Sequence, residues 1–151
     1  MDEDFKKYVL EKCFSVINSE ILVAIQNINI TKESLIDDSK SSAGDKHETS
    51  RAMTHLEIEK SEFALGNLRK TKADLERINP TIRNSKILFG SIFQTSLSWF
   101  FVSSSLGKLK IEDKEITTIS IHSPLFLALK ELKKGDKKLF NGQLIEIINV
   151  M

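Results

Sequence analysis

The sequence predicts an α+β protein: a long N-terminal antiparallel α-helical coiled-coil hairpin, then a small antiparallel β-sheet domain with one short helix. Three observations lead there. Residues 5–36 contain neither Pro nor Gly, and Leu10, Phe14, Ile17, Ile21, Ala24, Ile28, Thr31 and Leu35 follow alternating spacings of four and three. A second helical stretch follows a Ser/Gly/Asp-rich break and stops at Asn79-Pro80. After Pro80 the chain changes to short aromatic and β-branched runs separated by turn residues, the pattern of strands.

The first helix is expected from Phe5 to about Ile36. Its spacing is a heptad seam sustained over more than three heptads, which packs a helix along one partner helix. At ~1.5 Å per residue it would run roughly 45–50 Å. Asp37 to Gly44 breaks the pattern, because Asp and Ser compete for backbone hydrogen bonds and Gly adds backbone freedom. The second helix starts near Asp45 or Glu48 and runs to about Ile78, with Met53, Leu56, Ile58, Leu65, Leu68, Leu75 and Ile78 as its apolar side. Pro80 ends it by disfavouring the helical conformation of the residue before it. The hairpin is thus 1–79, with an acidic tip near 37–49, and the second domain is 80–151. In that domain Ile87–Phe93, Leu97–Val102 and Ile116–Ile121 read as strands, and Gly107 and Asp113 as turns. Ser123-Pro124 starts a helix, Ser as N-cap and Pro at the first position, which runs to about Leu132 and stops at Gly135-Asp136. Asn141-Gly142 between Lys137–Phe140 and Gln143–Val150 is a hairpin signal.

Composition sets the limits. Of 151 residues, 40% are hydrophobic and 28% charged, a soluble balance, and no run reaches the ~20 apolar residues of a membrane helix. Met1-Asp2-Glu3-Asp4 is acidic where a signal peptide starts basic, and one cysteine makes no internal disulfide; both fit a cytoplasmic protein. The net charge of +1 divides into 12 basic and 15 acidic residues over 1–80, about −3, and 10 and 6 over 81–151, about +4. That is too mild an imbalance to indicate nucleic-acid binding on its own. Cys13 beside the seam reads as a small apolar residue. His47 and His55, eight apart, lack metal-ligand spacing, and His122 sits at a strand end. Arg51, Lys60, Arg69, Lys70 and Lys72 on the second helix, and Lys133, Lys134, Lys137 and Lys138 later, read first as solvated faces and second as contacts for RNA backbone or an acidic surface.

Gly44-Asp45-Lys46-His47-Glu48 resembles the glycine-aspartate-leucine-x-glutamate tip of the bacterial Gre transcript-cleavage factors, at the same spacing. Leu88-Phe89-Gly90-Ser91, Ile119-Ser120-Ile121-His122-Ser123-Pro124-Leu125 with Ala128-Leu129, and Lys134-Gly135-Asp136 are similar to that family's phenylalanine-glycine-serine strand, serine-proline helix and glycine-aspartate turn. The resemblance covers nearly the whole chain and implies an FKBP-like fold for residues 80–151. Lys46 stands where the family has leucine, and Thr49 and Ser50 where it has asparagine and alanine.

The resemblance implies a protein that binds RNA polymerase, and two helices that satisfy each other within one chain point to a monomer. Its tip enters the secondary channel and stimulates cleavage of backtracked RNA, touching the nascent RNA 3′ end only indirectly and no membrane. Asp45 and Glu48 would then be the catalytic and metal-proximal pair, helping hold a Mg²⁺ shared with the polymerase, and the chain would have neither a cofactor of its own nor an enzyme active site. Ser123, Pro124, Gly135 and Asp136 would bind the partner. Without the resemblance, Asp45 reads as the N-cap of the second helix with Glu48 three residues on, both favoured by the helix dipole. The altered neighbours of the acids open a second reading, a channel-occupying regulator without cleavage. A third is a peptide-binding or prolyl-isomerase module, for which the strand aromatics would have to line a pocket and not a core.

Overall fold

The computed structural model describes residues 2–38, 40 and 44–151, without the side chains of Asp2, Glu3, Asp38, Asp45 and Lys46. Two long helices come first, α1 (Asp2–Asp38) and α2 (Gly44–Glu76). Six strands follow, β1 (Ile92–Thr95), β2 (Trp99–Ser103), β3 (Lys108–Ile111), β4 (Lys114–Ser120), β5 (Lys137–Phe140) and β6 (Gln143–Val150), with a short helix α3 (Pro124–Leu129) between β4 and β5. The protein is α+β. Its packing divides into two compact units, residues 17–72 and residues 1–16 with 73–151.

In α1 all eight seam positions are buried or half-buried, whereas Leu22, Val23, Ile30 and Ile36 lie off it and are exposed. The covered face of α2 is Thr54, Ile58, Ser61, Leu65, Leu68, Lys72 and Leu75, a spacing of four and three as regular as that of α1. Three of its positions are polar. Met53 and Leu56, expected on the apolar side, fall outside this register and are 67% and 56% exposed. Within 17–72, Lys32 Nζ meets Glu62 Oε1 at 2.6 Å, beside buried Ile28 and Leu65.

In the other unit the six strands form one sheet in the order β3-β4-β2-β1-β6-β5. The sheet is mixed, not antiparallel as expected, because β2 and β4 run parallel, Trp99 opposite Ile116 through Ser103 opposite Ser120. A parallel pair needs a crossover, and here β3 supplies it. The chain leaves β2, runs back as edge strand β3, turns at Glu112-Asp113 and returns as β4 between them. Thr118 fixes that path: its Oγ1 accepts from Leu106 N at 2.8 Å and donates to Gly107 O at 2.8 Å. Strand β6 divides its pairing, its first half with β5 and its second with β1.

Alternate strand residues point to opposite faces, so Phe93 and Val102 meet α3 residues Phe126 and Leu129 in one buried cluster with Ile145 and Ile147. Ile92, Phe101 and Ile116 face the other way and are also fully buried. Burial on both faces explains why these strands read as nearly continuous apolar runs.

The strand expected at Ile87–Phe93 begins only at Ile92. Gly90 adopts φ +80 and makes a turn there, and a Cβ on it would lie 3.2 Å from Ile78 Cγ2. Ser91 is fully buried; its Oγ donates to Leu88 O at 2.7 Å and accepts from Leu88 N at 3.1 Å, closing the same turn. The short helix ends at Leu129 and not Leu132, its Lys130 cap followed by Glu131 at φ 67. Strand β3 was not expected. At the start of α1, Lys6 is buried and its Nζ donates to Ile82 O at 2.8 Å; burial pulls its pKa below the ordinary lysine value. Cys13 is also buried, which pushes its thiol up to about 12 and removes it as a nucleophile at neutral pH.

Candidate functional site

The break between the helices spans little chain, since α1 ends at Asp38 and α2 begins at Gly44. Ser39, Ser41, Ser42 and Ala43 of the expected tip lie outside the described residues. Because α2 starts one residue before Asp45, Asp45 belongs to the first helical turn and does not occupy the N-cap position expected of it. Asp45 and Glu48 are three apart in that turn, so their Cβ atoms leave the same face of the helix. Glu48 is exposed; the Asp45 side chain lies outside the described set. Both acids sit where the unpaired N–H groups and the positive end of the helix dipole favour negative charge. Asp37 closes α1 with Lys40 at 3.9 Å, both side chains largely in water.

Along α2 from the acids, Met53 and Leu56 share a shallow cleft of about 640 Å³ with Thr49, Ser50, Thr54, Glu57 and Lys60. Sequence reasoning assigned these two apolar residues to packing and so missed the surface they make. The signal was present: the strict register through Ile58, Leu65 and Leu68 excludes both. Arg51, Lys60, Arg69 and Lys70 are exposed, whereas Lys72 is half-buried on the covered face, where its long alkyl stem can pack while the ammonium reaches water. His47 is half-buried and His55 exposed. Among the described residues no three His, Cys, Asp or Glu side chains gather as a metal site. Two carboxylates suit a hard cation such as Mg²⁺ but supply only part of its oxygen shell, so other ligands would have to come from another molecule.

The four expected partner-binding residues lie in the sheet unit, each with local structural work. Ser123 Oγ accepts from Phe126 N at 3.1 Å as the cap of α3, with Pro124 at the helix start. Gly135 takes φ 90 and its N–H donates to Ile147 O at 2.8 Å. Asp136 Oδ2 accepts from Lys133 N at 2.9 Å. Of the aromatics, Phe93 and Phe101 are fully buried and Phe93 stacks on Phe100 at 5.2 Å, so these fill the core and do not line a peptide pocket. No helix among the described residues is long and apolar enough to cross a membrane. No protein-family model matches the chain, and no curated protein matches it either.

Proposed function

We propose that this chain is a Gre-type transcription factor whose helix pair, as a coiled-coil hairpin, delivers Asp45 and Glu48 into the secondary channel of RNA polymerase, with the sheet unit as an FKBP-like docking domain. The observation that supports the reading is that Asp45 and Glu48 stand three residues apart in the first turn of a 33-residue helix, with Glu48 open to solvent.

A magnesium ion held jointly with the polymerase would supply Lewis-acid stabilisation of the attacking and leaving oxygens of a phosphodiester. The chain's own part is to present two oxygen ligands from a helix end whose dipole favours negative charge. The seams of α1 and α2 hold that end at a fixed distance along the pair. Ser123-Pro124 and Gly135-Asp136 shape the docking domain, and no membrane takes part. The same channel occupied without cleavage is the second reading, favoured by the changed neighbours of the acids, Lys46, Thr49 and Ser50.

The test uses backtracked elongation complexes with labelled nascent RNA at fixed magnesium. Wild-type protein should release short 3′-end products, and Asp45→Ala/Glu48→Ala should slow that release at least roughly tenfold while still competing with a secondary-channel ligand. Competition without cleavage by the wild type selects the second reading. Absence of competition defeats both.

A further inference from the structure

The start of α1 and the β3–β4 turn border a cleft of about 690 Å³ in the sheet unit, lined by Asp4, Phe5, Tyr8, Trp99, Glu112 and Lys114. That volume is in the range of small-ligand sites, and none of these residues has a part in the tip chemistry. Phe5 and Trp99 meet edge to face, ring centroids 6.1 Å apart at 67°. The Lys114 ammonium lies 4.7 Å from the Phe5 centroid and 5.0 Å from that of Trp99. Two aromatic faces therefore already hold a cation at attractive distance, with a third ring, Tyr8, in the same wall.

The charge agrees with the rings. Asp4 and Glu112 bring two carboxylates to the lining, and neither is in an ion pair among the described residues. Glu112 holds φ 53, a left-handed conformation that glycine adopts without strain and a glutamate does not. That conformation belongs to the two-residue turn that pairs Ile111 with Lys114, and the turn carries the acid into the lining of the cleft.

We propose that this cleft receives a weakly hydrated organic cation, a guanidinium or quaternary ammonium group, for which Lys114 is the resident stand-in. A lysine ammonium is strongly hydrated and, at the exposed Lys114, gains little from the rings. A guanidinium is more weakly hydrated, stacks on aromatic faces and pairs with carboxylates in a planar fork. It displaces Lys114, whose flexible stem swings into water. The cation can be a free small molecule or the side chain of a partner protein.

Trp99 is the chain's single tryptophan, so its fluorescence reports this cleft alone. The full chain is titrated with tetramethylammonium chloride and with N-acetyl-arginine N-methylamide, against sodium chloride at matched ionic strength. At least one probe should give a saturable change in Trp99 emission beyond that of the salt. Lys114→Met, which removes the competitor, should tighten that probe roughly two- to fivefold, and Asp4→Asn/Glu112→Gln should weaken it by a similar factor or more. Saturation by the arginine derivative alone assigns the site to a partner's side chain; saturation by tetramethylammonium extends it to free cations. No saturable change in either the wild type or Lys114→Met overturns the proposal, as does an unaltered response when both acids are neutralised.

Discussion

The helical unit and the sheet unit spend their apolar residues differently. In the sheet unit Ile92, Phe93, Phe101, Val102, Ile116 and Leu129 are at 0% exposure, closed in from both faces. In residues 17–72 only Ile17, Ile28, Ile58 and Leu65 are buried among the large apolar residues described, while Leu22, Val23, Ile30, Ile36, Met53, Leu56 and Phe63 are each more than half exposed. In residues 17–72 only one narrow stripe of each helix is covered and much apolar surface stays exposed. Less apolar area is buried there than in the stacked layers of the sheet unit, and local opening is expected there first.

The largest test of this contrast compares core truncations. Phe101→Ala should cost about 3–5 kcal/mol, whereas Leu65→Ala on the seam should cost about 2. Urea unfolding read by hydrogen exchange in each unit separates the two, and equal losses would erase the distinction. Gly90→Ala sharpens it from the sheet side. A side chain there meets both the φ of +80 and Ile78 at 3.2 Å, so about 1–2 kcal/mol should be lost, all of it from the sheet unit. The smallest effect belongs to the helical unit. Lys32 and Glu62 meet at 2.6 Å, but their side chains are 48% and 50% exposed. A double-mutant cycle should give a coupling of about 0.5 kcal/mol that fades with added salt.

The same contrast decides what could be read from the sequence. The α1 seam was legible because seven of its eight positions are apolar. The register of α2 was not, because Thr54, Ser61 and Lys72 stand on the covered face while Met53 and Leu56 stand off it. Asp45 and Glu48 could be placed at the head of a helix from the break before them, though not at their turn positions. Strand β3 is a four-residue Lys-Leu-Lys-Ile alternation with exposed lysines, too short to stand out from a turn. The path that leaves β2 and β4 parallel includes the Thr118 bonds to Leu106 and Gly107, more than ten residues away. No local pattern encodes that contact. The Phe5–Trp99 cleft is further still, built from residues whose neighbours in the sequence give no hint that they meet.

The divided pairing of β6 carries a consequence for how the chain reaches its native state. Strand β1 finds β2 almost at once, across a short turn, but its other edge is closed only when Val150 arrives opposite Phe93. Loop closure over that separation is slow compared with helix growth. Until it happens, Ile92 and Phe93 lie along an unpaired strand edge, the form of surface on which nascent chains aggregate. The helices should therefore form early and the sheet should set the folding rate, with the insertion of β6 as the step that ends the chain's exposure to misassembly.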